Sequence, residues 1–402
     1  MRRTRHINNL IYALAAIFST QTISAHDIDR IAAEMAGRNL AVASGSASME
    51  SDLLSLKAEN QLEAPEIEFE HLWGGKGAKD KTGITVSQGF DWPGVYAARS
   101  KAISIQKQTI GLLHRANLLD KALEAKLAIY DLIYARQQLA LVDTISANIG
   151  RILAATESGY RRGEYTILDV NRLKVETVNI QRRHRDIASR IAMLTASINA
   201  LNGGNDASEM TDGLNAFPPE HMLSYGEYAD EADRLDPTIE AARMGQQAAK
   251  QMETAEKRSS FPGFSIGYRY SREEGINFHG FTAGISLPFL RKNYRKESAK
   301  ALALANSYDG NEALVSRIAQ IKASYENASR LRDDNAAFAA VFENSDNIRL
   351  LSRAYAGGQM SSVEYLTDIN YFLDANLTYL QSRYDYAIAL AQLNRYTLLQ
   401  YL

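Results

Sequence analysis

Proline is scarce in this chain and sits only at borders, and that placement limits the fold more than any other feature. The seven prolines are Pro65, Pro93, Pro218, Pro219, Pro237, Pro262 and Pro288. An interior proline removes a helical hydrogen bond and clashes with the preceding turn, so residues 94–217 and 289–402 are free to form very long helices. Elsewhere proline marks the edges of shorter elements. With 46% apolar and 23% charged residues the chain is a folded protein, not a disordered or collagen-like one.

The sequence reads as two copies of one plan. Pro65, Ile67 and Phe69 correspond to Pro262, Phe264 and Ile266, and Val86 to Phe90 falls against Ile285 to Phe289. Further on, Tyr160-Arg161-Arg162-Gly163 aligns with Tyr355-Ala356-Gly357-Gly358, followed by Thr166 against Ser361, Asp169 against Glu364 and Asn199 against Asn394. A nearly constant offset kept in order along the chain is the signature of duplication. Each copy predicts a helix, two strands, a very long helix, a glycine-containing turn and a returning helix. The first copy covers 26–203, with strands at about 65–73 and 82–90 and a turn at about 158–167. The second covers 220–402, with strands at about 262–271 and 278–288 and a turn at about 354–362. Residues 204–219, rich in Gly, Asn, Asp and Ser and ending in Pro-Pro, read as a connector. Asp236-Pro237 reads as an N-cap with proline at the first helical position.

Arg2, Arg3 and Arg5, the apolar stretch Leu10 to Phe18 and the polar run to Ala25 have the layout of a secretory signal covering residues 1–25. Cleavage after Ala25 removes basic charge and no acid, so the mature chain is mildly acidic and suggests no nucleic-acid surface. The absence of cysteine excludes disulfides, thiolate metal sites, thiol nucleophiles and a lipid-modified N-terminal cysteine. Beyond the signal no run approaches the roughly 18 apolar residues of a membrane helix, so any spanning segment must be a strand.

The strands alternate as a two-faced sheet requires. Ile67 and Phe69 oppose Glu66, Glu68 and Glu70; Ile84, Val86 and Phe90 oppose Thr85, Ser87 and Gly89. In the second copy Phe264, Ile266, Tyr268 and Tyr270 oppose Ser265, Gly267, Arg269 and Ser271, and Phe281, Ala283, Ile285 and Leu287 oppose Thr282, Gly284 and Ser286. Trp73, Phe90, Trp92, Phe278 and Phe289 near strand ends suit an interfacial girdle. Alternation alone leaves a soluble sheet with one wet face equally open. If lipid surrounds the sheet, four strands in two hairpins are too few, because the smallest membrane barrels have about 8 and open edges are not tolerated there. Other subunits must then complete the ring.

Positions Leu112, Ala116, Leu119, Leu123, Leu127, Tyr130, Tyr134, Gln138, Leu141, Ile145, Ile149, Ile152 and Thr156 step by four, three and four residues, a period close to 11 that favours straight or slightly right-handed superhelices over the heptad coil. A helix over 95–157 would be roughly 95 Å long. The second copy (Leu314, Ile318, Ile321, Tyr325, Ala328, Leu331, Phe338, Phe342) is less regular. An ordinary antiparallel coiled coil accounts for the same periodicity.

A signal segment, tandem copies, paired strands feeding long helices, and the twice-occurring turn Tyr-x-x-Gly-x-x-Ser/Thr-x-x-Asp/Glu together resemble the TolC family of outer-membrane efflux proteins. The turn is Tyr160, Gly163, Thr166, Asp169 in one copy and Tyr355, Gly358, Ser361, Glu364 in the other. The resemblance implies a mostly α-helical homotrimer with a transmembrane β-barrel: four strands per chain in a twelve-stranded barrel, and long coiled helices in a periplasmic α-barrel. It implies residence in the outer membrane of a Gram-negative bacterium, contact with outer-membrane lipid, and docking of a periplasmic membrane-fusion adaptor and an inner-membrane pump of RND or ABC type at the two glycine turns. It also places Glu364 and Asp368 at a constriction of the tunnel tip, with Met360 where some members carry a latching cation. For Asp169 and Glu364 a helix-dipole role is equally open. A row of Glu66, Glu68 and Glu70 would face the barrel lumen, where simple solubility competes with guidance of cations.

Enzyme readings find no support. His6, His26, His71, His114, His184, His221 and His279 have no metal-ligand spacing, and HExxH and P-loop patterns are absent. No catalytic residue, metal or cofactor is expected. A periplasmic coiled-coil adaptor or scaffold with a small soluble sheet is the competing reading.

Overall fold

The computed structural model of the protein describes residues 25–75, 77, 79–287, 294–342 and 347–402. Most of the predicted signal segment, together with Pro288 and Phe289, lies outside them. The chain order begins with helices α1 (Ala25–Arg38) and α2 (Leu40–Ala58), strands β1 (Glu66–Leu72) and β2 (Lys81–Phe90), the long helix α3 (Pro93–Arg161) and its return α4 (Ile167–Leu201). A single turn, α5 (Ser208–Thr211), lies in the connector. Then come α6 (Tyr225–Leu235), α7 (Pro237–Arg258), β3 (Gly263–Glu273), β4 (Ile276–Ser286), α8 (Tyr294–Phe342), α9 (Asn347–Ala356), α10 (Ser362–Leu393) and a closing 3-10 turn, Arg395–Gln400. Two helices, not one, precede each strand pair. Asn39 divides the first two, its side chain accepting the Ala41 N–H at 2.9 Å. Asp236 caps α7, accepting from the N–H groups of Thr238 and Ile239 ahead of Pro237.

The chain forms two compact units, and each takes residues from both halves of the sequence. One comprises Ser44–Asn117 and Glu231–Ile318 and contains the sheet. Its four strands are antiparallel in the order β1-β2-β3-β4. The two expected hairpins are therefore joined through β2 and β3, whose pairing runs from Lys81↔Glu273 to Phe90↔Phe264. The second hairpin is tighter than its sequence reading. β3 and β4 meet across Glu274-Gly275, both at positive φ (52° and 85°), the backbone of a two-residue primed turn.

Register fixes the faces. Ile67, Val86, Tyr268 and Phe281 lie in one cross-strand row, with Phe69, Ile84, Tyr270 and His279 in the next row on the same face. Phe281 is 92% exposed and Ile67 73%, so this apolar face is uncovered within the chain. The opposite face carries Glu66, Glu68 and Glu70 and also Gly83, Gly89, Gly263, Gly267, Gly280 and Gly284. No glycine of the four strands points to the apolar side. Missing side chains on one face let a sheet curl toward it, and at Gly267 an added Cβ would stand 2.7 Å from both the Val86 carbonyl oxygen and Thr282 Oγ1. Of the expected girdle, Trp92 packs on Phe261 and Phe264 at ring separations of 5.7 and 5.8 Å, and Trp73 is exposed beyond β1. Phe278 departs from that expectation: it pairs with Ser271 and so shares the glutamate face.

The other unit is helical and comprises the described residues up to Ala43, Leu118–Asp230 and Ala319–Leu402. Helix α3, 69 residues and about 100 Å long at the standard rise, belongs to this unit from Leu118 onward. Every position of its predicted stripe is buried or half-buried. Between Ala122 and Ala135 a second face is buried too, including Ala125, Ile129, Leu132 and Ile133. One 18-residue window of α3 is apolar enough to cross a membrane by composition, although its apolar residues are interrupted and form no unbroken run. It belongs to a helix far longer than a bilayer is thick and includes residues packed in the protein interior. In the second half α8 ends at Phe342 and α9 begins at Asn347.

Candidate functional site

The two glycine turns have the same hydrogen-bonded construction. Where α3 ends, Gly163 takes φ +79°, its N–H donates to the Tyr160 carbonyl at 3.0 Å, and the Glu164 N–H donates to Gly159 at 2.9 Å. Where α9 ends, Gly358 takes φ +67°, its N–H donates to Tyr355 at 3.0 Å, and the Gln359 N–H donates to Ala354 at 2.9 Å. Both are Schellman caps, in which a left-handed residue lets the last carbonyls find donors. Each return helix then opens on a capping box. Thr166 and Asp169 exchange side-chain and backbone hydrogen bonds at the start of α4, and Ser361 and Glu364 do so at the start of α10. The spacing Tyr-x-x-Gly-x-x-Ser/Thr-x-x-Asp/Glu is thus a helix stop followed at fixed distance by a helix start.

These contacts set the electrostatics of the two carboxylates. The Ser362 and Thr166 hydroxyls hold the Asp169 carboxyl below the usual aspartate value, with smaller help from the Thr166 N–H and Arg172. The Ser361 N–H and hydroxyl do the same for Glu364. Asp368, one helical turn beyond Glu364, is exposed on the same side of α10.

Below the caps the two hairpins are braced to each other. Ser362 Oγ donates to Asp169, and the hydroxyls of Thr156 and Tyr355 meet at 3.0 Å in the interior. Tyr355 stacks near Tyr165 at 6.2 Å and packs on Tyr365 at 5.2 Å. Met360 packs against this cluster, which continues through Val142, Ile145, Ile149, Leu173, Ile369 and Leu373. The two motif tyrosines have different surroundings: Tyr355 is 3% exposed and belongs to the brace, whereas Tyr160 is 44% exposed and faces outward.

Sequence reasoning named Glu364 and Asp368 near the tips but overlooked the basic residues of the facing helix. Helix α4 carries Arg172, Lys174, Arg182, Arg183, Arg185 and Arg190 among its acids Asp169, Glu176 and Asp186, and α10 carries Asp374 opposite them. Arg183 joins Asp374 at 3.3 Å beside an open polar cleft of about 360 Å³ between the two helices. On the sheet the overlooked residue is Arg269, which crosses β2 to pair with Glu70 on β1. Glu66 and Glu68 stay exposed beside that pair. Both surfaces can bind, brace or attract charge. Among the described residues no group of His, Asp and Glu is arranged to hold a metal ion.

No protein family matches the chain by sequence, and no curated protein does. Solved structures do. A membrane protein from Pseudomonas aeruginosa aligns at TM-score 0.73 and 17% identity, covering 93% of this chain and 91% of its own. The outer-membrane channel OprN aligns at TM-score 0.74 and 13% identity over 92% of this chain and 89% of its own. The CmeC outer membrane channel of Campylobacter jejuni aligns at TM-score 0.73 and 11% identity over 92% and 85%. At these identities the likeness concerns architecture: the chain has the fold of the TolC-like outer-membrane channels.

Proposed function

We propose that this chain is the outer-membrane duct of a tripartite efflux or type I secretion system, a passive homotrimer driven by its partners. The observation that carries the reading is the uncovered sheet. Its apolar face is exposed, Phe281, Ile67, Phe69 and Ile285 each by more than two thirds, and β1 and β4 have unpaired outer edges. Exposed apolar area of this kind needs a covering phase or partner, and lipid admits strands only in closed barrels. Three copies would give a twelve-stranded barrel with the apolar face toward outer-membrane lipid and the glycine-rich face lining the lumen. A soluble periplasmic adaptor or scaffold would leave this face in water, which disfavours that reading.

The helices would then continue the duct into the periplasm, with the braced tips formed by Tyr160, Gly163, Thr166, Asp169, Tyr355, Gly358, Ser361 and Glu364 meeting a membrane-fusion adaptor and, through it, an inner-membrane pump of RND or ABC type. In place of a cation at Met360, the Ser362–Asp169 contact and the Thr156–Tyr355 contact would hold the tip together. Glu364 and Asp368 would narrow the tip and favour cations. Single-channel recordings of Glu364→Gln with Asp368→Asn should show weaker block by divalent cations; unchanged block removes these two residues from the gate.

Fractionation tests the whole reading. The chain should sediment with the outer membrane, need detergent for extraction and run as a trimer that heat dissociates, with an adaptor and a pump co-purifying. A water-soluble monomer in the periplasmic fraction would overturn it.

A further inference from the structure

The glutamate face of the sheet carries more carboxylates than ammonium and guanidinium groups, and the cations present are already engaged. Lys81 meets Glu273 at 3.2 Å at one end of the face. Arg269 is the cation of its interior. Register places Arg269 in the row of Thr85 and Glu68, and Ser271 in the row of Gly83 and Glu70. Its guanidinium nonetheless reaches Glu70, one row along and two strands away. Gly83 lies between them, and a Cβ there would stand 3.5 Å from the Glu70 carboxylate, so the missing side chain leaves the crossing open. Both partners stay partly in water, at 41% and 31% side-chain exposure. An exposed pair of this kind adds little to stability. Its larger effect is on the charge that the face presents.

We propose that Arg269 is a specificity-determining residue of the duct: by neutralising Glu70 it leaves Glu66 and Glu68 as the uncompensated charges of the strand lumen, and so sets a moderate preference for cations. This rests on the duct reading above. In a trimer the pairing reduces nine lumen carboxylates on β1 to six effective ones, in two rings. The influence of such rings depends on screening, with a Debye length of about 30 Å at 0.01 M salt and about 3 Å at 1 M.

The test is the cation-to-anion permeability ratio of the purified trimer in planar bilayers, taken from reversal potentials in dilute and in molar potassium chloride. In dilute salt Arg269→Gln, which uncovers Glu70 in each of the three chains, should raise the ratio several-fold, because each unit charge roughly 10 Å away in water is worth about twofold. Glu70→Gln, which frees the guanidinium, should lower it by a similar factor. The double variant should return to the parent value, because a neutral pair has been removed, and all differences should vanish in molar salt. Glu66→Gln with Glu68→Gln leaves the pair untouched and should lower the ratio further than Glu70→Gln does, toward the preference that the tip carboxylates set, which keeps a readout if Arg269→Gln does not assemble. Conducting channels whose ratio is the same in the parent, Glu70→Gln and the Glu66/Glu68 variant overturn the role of this face while leaving the duct standing. Correctly folded protein that never conducts overturns the duct, and this proposal with it.

Discussion

Lys126 offers a decisive test of how the helical unit is held together. Its side chain is 1% exposed, and its ammonium lies 2.8 Å from Asp29 and 2.9 Å from Glu220, themselves 4% and 6% exposed. Neutral donors complete the site. Thr397 donates to Asp29 at 2.7 Å, Asn394 donates to Glu220 at 2.8 Å, and the Tyr130 hydroxyl also donates to Glu220. The cluster thereby ties α1, α3, the segment just after the connector and the closing turn to a single cation. Lys126→Met would leave two carboxylates in the interior with no counter-charge. Breaking a buried pair from one side costs about 3–5 kcal/mol, a large share of the roughly 5–15 kcal/mol that holds a domain folded. At about 2–4 °C per kcal/mol for a unit of this size, the helical unfolding midpoint should fall by about 6–20 °C. Far-UV circular dichroism of the detergent-solubilised protein during heating measures it. Adding Asp29→Asn and Glu220→Gln to Lys126→Met keeps the shape while removing both charges, the amide oxygens accepting from Thr397 and Asn394 and the Tyr130 hydroxyl turning to accept from the new amide N–H, and should recover most of the loss. A midpoint unchanged by Lys126→Met, or a triple variant no better than the single one, refutes the view that charge balance holds this site.

Three further outcomes follow from local geometry. Gly267→Ala should prevent assembly of the sheet because its Cβ would strike the Val86 carbonyl, whereas Gly280→Ala, with nothing within 4 Å of the added atom, should assemble as the parent does; heat-modifiable oligomer on gels compares them. Gly163→Ala and Gly358→Ala meet no neighbouring atom either, so each should cost only the strain of a left-handed alanine, about 1–2 kcal/mol by thermal unfolding. Asp169 should titrate below an ordinary aspartate, as read by carboxyl NMR, and Ser362→Ala should move it back upward. The sign follows from that depression. The stabilisation that Asp169 confers is complete above the unfolded carboxyl's pKa and is lost as pH falls through its lower folded value, so Ser362→Ala should matter at neutral pH and cease to matter in strong acid.

What could be read from the sequence was whatever repeats or alternates. Proline placement located the long helices, period-2 runs located the strands, and the glycine turns were visible because a helix stop and a helix start both constrain residue type at fixed spacing. Lys126 was invisible because it lies off the stripe that starts at Leu112. A stripe describes one contact face, and around Lys126 the helix is packed on a second face too. The Arg269–Glu70 pair was invisible for another reason: alternation assigns residues to faces, while register across β2 and the gap at Gly83 decide which of three glutamates an arginine reaches. The connection of β2 to β3 likewise joins strands separated by the whole of α3 to α7, and no local pattern encodes it.

The joined sheet also makes closure by copies geometrically simple. Four antiparallel strands leave β1 and β4 running in opposite directions at the two edges, so β4 of one copy beside β1 of the next extends the same antiparallel ladder. Whatever number of copies closes the ring, the strand count is even and every edge is paired, as lipid requires. Two hairpins left unjoined would offer four edges per chain and many ways to close wrongly. One continuous sheet with its six glycines on one face offers two edges and, because missing side chains let a sheet curl toward them, one favoured sense of curvature. A substitution that separates β2 from β3 should therefore damage assembly more than one that shortens either hairpin loop.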